Sequence, residues 1–231
     1  MDSLKQVILL TDTLVRPVLY THVKGINLQP VRKAKALFVS VLLPSILVAK
    51  YKVNLNRNKI GQLRKKEIWD KADSLFYIEM KSRYKAVDVN DLLNRMVSLP
   101  NSLILAQAAV ESGWGQSRFF LEANNVFGIW SYNRNEPRLR ARKNGSVHLK
   151  AYDNISQSIE DYLEVIGSAR SYKALRKARL KTDDPFLLLP HLKYYSISRE
   201  RYTRVLKTMI KRNNFTVYDH FQIDPAYLVE E

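Results

Sequence analysis

The sequence predicts an α+β protein, mostly helical with one small β-hairpin lobe, and three observations carry that expectation. Amphipathic or continuously apolar stretches recur from residue 31 to about residue 212. A β-branched and aromatic stretch at 126–132, then two strand-like runs flanking Asn144-Gly145, interrupts them once. The length of 231 residues, with 46% hydrophobic content, suits one large domain or a domain with a sizeable extension and argues against wholesale disorder.

Residues 1–30 are mixed, with turn signals at Arg16-Pro17 and Lys24-Gly25. Residues 31–50 read as a buried helix kinked at Pro44, and 58–82 as a second helix carrying Leu63, Ile68, Trp69, Ala72, Leu75 and Phe76 at spacings of three to five. A short helix is expected at 88–97, capped by Asp88. Ser98-Leu99-Pro100 then breaks the chain and permits a new start. Residues 101–111 are the most apolar helix of the second half, closed by Gly113 as a left-handed cap. Another short helix is expected at 116–122, followed by the strands at 126–132, 138–143 and 146–152. Asn154-x-x-Gln157 resembles a capping box, Asp184-Pro185 a cap with proline at the first helical position, and Ser198 a cap for the last helix. This organisation divides into a helical N-terminal extension at 1–85, a domain at 86–215 and a tail at 216–231.

Composition narrows the chemistry. The absence of cysteine excludes disulfides, a cysteine nucleophile and cysteine zinc sites. His22, His148, His191 and His220 show no metal-ligand spacing, so neither a metal nor a cofactor is expected. The net charge of +16 favours an anionic partner, be it nucleic acid, membrane or wall polymer. It is spread along the chain, with 18 Lys and Arg against 8 Asp and Glu in residues 1–100 and 20 against 14 in the rest. The apolar run at 7–10 is shorter than a secretory core of roughly 7–15 residues, and the uncharged run at 36–49 is shorter than the ~20 residues of a membrane span. No signal peptide and no transmembrane helix are expected.

Glu111 is the residue with the strongest claim to chemistry. A carboxyl ending an apolar helix is expected to be partly desolvated and to meet the negative end of the helix dipole, and both favour the protonated form that a general acid needs. On position alone, a solvated last turn is the more ordinary reading. The neighbours add weight: Ser112-Gly113-Trp114-Gly115, then Asn124-Asn125, Phe127-Gly128 and Trp130 put amides and aromatics near one acid, as a carbohydrate cleft would. Trp114 and Phe127 can equally be core residues. Two basic clusters stand apart, Arg138, Arg140, Arg142, Lys143 and Lys150 on the hairpin, and Arg170 to Lys181 further on. They read as an anion-holding face or as a solvated surface.

The run Leu105-Ala106-Gln107-Ala108-Ala109-Val110-Glu111-Ser112-Gly113-Trp114-Gly115-Gln116-Ser117, with Glu122-Ala123-Asn124-Asn125-Val126-Phe127-Gly128-Ile129-Trp130 and Tyr194-Tyr195-Ser196, resembles bacterial β-N-acetylglucosaminidases of glycoside hydrolase family seventy-three, the mannosyl-glycoprotein endo-β-N-acetylglucosaminidase type. The resemblance covers about residues 90–212, and the pattern around Pro44 is similar to the Bax-type subgroup. It implies a lysozyme-like fold and hydrolysis of the β-1,4 bond after N-acetylglucosamine in peptidoglycan. Glu111 stands at the position of the general acid and Tyr195 at that of the cleft tyrosine; Trp114, Asn125, Phe127, Gly128 and Trp130 would shape the substrate site. Glu136, the only acid between Asn125 and Asp153, is the candidate second carboxylate, though it reads equally as a solvated hairpin charge among Arg134, Arg138 and Arg140, and the acetamido group of the substrate could assist in its place. The expected setting is the cell envelope, periplasmic or extracellular, and the expected state a monomer acting on glycan strands. Two other readings stay open: a lytic transglycosylase releasing anhydro-sugars, and a non-catalytic basic module binding wall polymer or nucleic acid. The aromatic segment 114–132 holds only Arg118 as a base, which speaks against nucleic acid.

Overall fold

In a computed structural model, which describes residues 3–142 and 146–228, the elements in chain order are β1 (Leu14–Val15), α1 (Val31–Leu63), α2 (Lys71–Tyr84), α3 (Val89–Arg95), α4 (Asn101–Glu111), α5 (Arg118–Ala123), β2 (Arg138–Arg140), β3 (His148–Lys150), α6 (Ile155–Ser168), α7 (Lys173–Arg179), α8 (Pro185–Leu188), α9 (Glu200–Arg212) and β4 (Gln222–Ile223). The chain is therefore α+β and mostly helical, as its periodicity implies. Its strands form two small sheets, β1 parallel to β4 and β2 antiparallel to β3. Two compact units share these elements: residues 1–49, 101–159 and 209–231 form one, and residues 50–100 and 160–208 the other.

The first unit holds both sheets. Its core includes Tyr20, Phe38, Leu42, Leu43, Ile46, Phe120 and Phe215, all fully or almost fully buried. The N-terminal segment is woven into it. Tyr20 accepts a hydrogen bond from the Ile8 N–H on its phenol and one from the Ile155 N–H on its carbonyl, while the Gln222 and Asp224 N–H groups donate to Thr13 and Val15. Gly25 takes the left-handed conformation that the Lys24-Gly25 turn implies and opens a 3-10 turn at Ile26–Leu28. The hairpin forms with Leu139 opposite Leu149, but Asn144-Gly145, which the sequence makes its turn, and Lys143, the end of the first run, lie outside the described residues. The stretch 126–132 is not a full strand. Only Trp130 bridges to Leu149, because Gly128 adopts a positive φ and turns the chain before it can extend.

The second unit is helical. Ile60, Leu63, Met80, Tyr84, Leu92, Leu93 and Met96 form its buried cluster, with Trp69, Phe76 and Tyr77 packed against it. Gly167 on α6 allows the closest approach, since a Cβ there would stand 2.7 Å from both the Arg95 carbonyl and the Tyr84 ring.

The helix boundaries correct the sequence in two places. First, α1 is continuous from Val31 to Leu63, through Pro44 and past residue 50. Pro44 removes one helical hydrogen bond, but Phe38, Val41, Leu42, Leu43 and Ile46 around it are fully buried, and that burial outweighs the loss. The break falls at 64–70 instead, where the Trp69 indole donates to the Leu63 carbonyl and Asp70 caps α2 through the Asp73 N–H. By length and composition α1 suffices to cross a membrane, yet 78% of its apolar window is buried inside the fold, as in a core helix. Second, α9 begins at Glu200, and Ser198 does not cap it; Arg199 at φ +43° intervenes, and the Ser198 hydroxyl pairs with Ser196. Asp88, Ser117, Asn154 and Asp184 each accept a backbone N–H at the start of the helix they precede.

Candidate active site

Glu111 is the last residue of α4, whose positions 101–109 are all buried. A helix apolar on every side must be enclosed by the fold, and its end is then a fixed point. Both ends are tied down. At the start, Asp219, far away in sequence, accepts hydrogen bonds from the Ser102 N–H at 2.8 Å and the Ser102 hydroxyl at 2.7 Å, while Asn101 donates to the Tyr218 and Phe221 carbonyls. A carboxylate there also meets the positive end of the helix dipole.

The far end is held by a turn of three consecutive left-handed residues, Gly113, Trp114 and Gly115, at φ +58°, +60° and +77°. For the tryptophan this conformation costs about 1–2 kcal/mol. The indole offsets that cost by packing: its ring meets Phe38 edge-on at 5.3 Å and Phe215 at 6.0 Å, with the Lys35 ammonium 4.9 Å from its centroid. Ser112 is buried and braces the turn, donating to the Ala108 carbonyl and accepting from the Gly115 N–H. A Cβ on Gly115 would come within 3.2 Å of Phe120 and 3.3 Å of Phe38. Glu111 itself is half-buried.

The two asparagines serve the scaffold. Asn124, fully buried and left-handed, accepts from the His22 N–H and donates to the Thr21 hydroxyl and the Tyr152 carbonyl. Asn125, also buried, accepts from the Ile129 N–H and donates to the Ile129 and Lys150 carbonyls. Its amide thus ties the 125–130 loop to β3. The Ser131 N–H donates to the His148 carbonyl and the Lys150 N–H to the Ile129 carbonyl, so this loop lies along β3 at the single Trp130–Leu149 bridge. Phe127 is buried, and Gly128 turns beside Leu149.

What the lobe exposes is aromatic and cationic. Trp130 is 52% exposed and Tyr132 84% exposed, with ring centroids 6.2 Å apart. Tyr132 stands two residues beyond Trp130, a spacing that strand periodicity makes legible, although only Trp130 stands out by residue type. Across the hairpin Arg138 faces Lys150, two like charges in opposition, and Arg140 faces His148, so the strip is rich in cations. Glu136 is half-buried in the loop before β2.

Tyr195 belongs to the second unit. It ends the 3-10 segment Leu189–Tyr195 and stacks on Tyr202 at 5.6 Å with planes 9° apart, flanked by Tyr162 at 6.2 Å and Tyr172 at 6.3 Å. Among the described residues no group of three or more histidines and carboxylates stands together as a metal site.

Comparison with known proteins gives a family match. The model described as mannosyl-glycoprotein endo-beta-N-acetylglucosaminidase (Glucosaminidase) matches residues 88–215. Protein bax of Escherichia coli is 24% identical over 200 residues, covering 80% of this chain and 72% of that protein. Peptidoglycan hydrolase FlgJ of Salmonella typhimurium is 30% identical over 101 residues, covering 38% of this chain and 32% of that protein. The solved glycoside hydrolase domain of the same FlgJ superposes with a TM-score of 0.42 at 24% identity, covering 58% of this chain and 88% of that domain.

Proposed function

The chain belongs to the glucosaminidase family, whose model spans more than half of it, and from that membership we propose that it is a peptidoglycan hydrolase that cleaves the β-1,4 bond after N-acetylglucosamine. Residues 86–215 are the catalytic domain of this reading, lysozyme-like in kind, with 1–85 as its N-terminal helical extension and 216–231 as a tail. The observation that carries the mechanism is Glu111: a half-buried acid at the carbonyl end of a helix whose positions 101–109 are all buried, before a turn fixed by packing. A general acid acts in its protonated form, so this reading requires that Glu111 hold a proton when the glycan is bound.

In the reaction Glu111 donates that proton to the glycosidic oxygen as the C1–O bond breaks, and the leaving sugar departs as an alcohol. Positive charge develops at C1 of N-acetylglucosamine, and water adds there, giving up a proton. Glu136 is the general base of this reading; the acetamido oxygen of the substrate is the other group able to stabilise C1. Trp130, with Tyr132 beside it, offers a face for the C–H surface of a sugar. Asn125, Phe127 and Gly128 act by holding that loop against β3, and Trp114 by fixing the turn after Glu111. Tyr195, set in its tyrosine cluster, is the cleft tyrosine of the family pattern. The enzyme works as a monomer at the cell wall, in the periplasm or outside the cell.

The test is the identity of the new chain ends. Digestion of purified wall by the whole chain, with mass spectrometry of the fragments, should show reducing N-acetylglucosamine. Reducing N-acetylmuramic acid or anhydro-muramic ends would overturn the assigned bond or reaction.

A further inference from the structure

A cavity of about 650 Å³ opens in the helical unit, lined by the end of α2, by α3, and by the segment from Ser168 into α7. No residue assigned above to glycan binding or catalysis lines it. Six of its side chains are cationic (Lys85, Arg95, Arg170, Lys173, Arg176 and Lys177), and Asp91 is its one acid.

The acid is already committed. Asp91 accepts from the Arg95 Nε at 2.7 Å and from the Val87 N–H. The two inner arginines are committed as well. Arg176, only 6% exposed, donates to the Ile166 and Ala169 carbonyls at 2.8 and 2.9 Å, and Arg95 donates to the Ser168 carbonyl at 3.2 Å. They satisfy the open carbonyl end of α6, which accounts for their burial; Asp91 balances one of the two charges, and the helix end balances part of the other. Burial first, and then the charge of Arg95, hold the Arg176 guanidinium below its ordinary value even though Asp91 pulls the other way. Around them Lys85, Arg170, Lys173 and Lys177 form no ion pair within 4 Å among the described residues. A concave surface of one charge sign, with low-dielectric walls, concentrates potential.

We propose that this cavity is a binding site for a small soluble ligand bearing clustered phosphate groups, such as a condensed phosphate or a phosphate ester. The volume lies within the roughly 300–1,000 Å³ of small-molecule sites. A single negative charge would leave most of the four unpaired cations facing one another, so the ligand carries at least two. Phosphate fits better than carboxylate for a geometric reason. Planar carboxylates suit the forked face of arginine, and here both inner forks already serve carbonyls and Asp91. The free donors are three lysines, flexible point charges that can surround a tetrahedral group, together with the single fork of Arg170, which suits phosphate as well as carboxylate.

The experiment is calorimetric titration of the whole chain with pyrophosphate, with citrate as a carboxylate control of similar charge, at one low ionic strength. Two charge-matched double variants accompany it: Lys173→Glu/Lys177→Glu in the cavity and Arg204→Glu/Lys207→Glu on the exposed side of α9. The wild type should bind pyrophosphate about tenfold more tightly than citrate; the cavity variant should lose about tenfold or more, and the α9 variant less than about twofold. Lys173→Gln/Lys177→Gln, which only removes charge at exposed positions, repeats the test should the reversal disturb folding. Equal affinity for citrate, equal loss in both double variants, or no binding of pyrophosphate at millimolar concentration would overturn the proposal.

Discussion

Glu111 owes its position to residues that do no chemistry. Ser112 closes the helix end, Gly113 and Gly115 permit the reversal, and Trp114 anchors it against Phe38 and Phe215. The acid and the two glycines are legible in the sequence, because an apolar helix ending in Glu-Ser-Gly states where the carboxyl must lie. The fate of the tryptophan is not, since its partners Phe38 and Phe215 lie 76 residues before it and 101 after it. Asn125 is a similar case: residue type suggests a sugar ligand, but a buried amide with three main-chain bonds is spoken for. Trp130 differs by being half out of the fold. Trp130→Ala should raise KM for glycan about three- to tenfold with kcat little changed, the mark of lost ground-state binding. Unchanged KM in steady-state kinetics on soluble glycan fragments would remove the indole from the substrate site.

Helices, rather than strands, show how local signals compete with packing. Caps at Asp88, Asn154 and Asp184 were readable because capping is a matter of three or four consecutive residues. The passage of α1 through Pro44 was not, because the burial that sustains it comes from elements distant in sequence. The cap on α4 is the extreme example, since Asp219 sits 117 residues beyond Ser102. Asp219→Ala should therefore destabilise the protein by about 1–2 kcal/mol, the usual worth of a cap, and lower the melting temperature accordingly. A melting temperature equal to wild type would show that α4 starts without it. On α3, burial pushes the Asp91 carboxyl up, but the Arg95 hydrogen bond, the Val87 N–H and the nearby guanidinium charges bring it below the ordinary range. A carboxyl lowered by folding contributes stability that is complete above its unfolded value of about 3.9 and is lost as pH falls through the folded value. The stability gap between wild type and Asp91→Asn, measured by thermal unfolding, should be largest near neutrality and close as pH drops towards 3. A gap independent of pH would mean that the carboxylate charge does not matter.

Across the whole molecule, composition proved informative about class and silent about arrangement. The lack of cysteine and the charge of +16 exclude several chemistries and favour an anionic partner, but they do not reveal that residues 1–49 share a compact unit with 101–159 and 209–231. That interleaving depends on pairings such as β1 with β4, two residues each, which no local pattern announces. The charge does make a prediction at this scale. Binding to purified wall, measured by sedimentation, should weaken as salt rises from 50 to 500 mM, because exposed charges more than roughly 10 Å apart are screened at 0.1 M. Binding indifferent to salt would place affinity in the aromatic lobe alone.

The central claim, that Glu111 supplies the proton, is tested most directly by comparing wall digestion by wild type and Glu111→Gln, with folding and wall binding measured on the same samples. Glutamine keeps the shape and hydrogen-bonding capacity of the side chain but has no acidic proton to give. The account predicts a variant that folds, binds wall as wild type does, and releases fragments about 10²- to 10⁴-fold more slowly. A variant that binds and cuts at the wild-type rate would contradict it, and Glu111 would then be no more than the end of a buried helix.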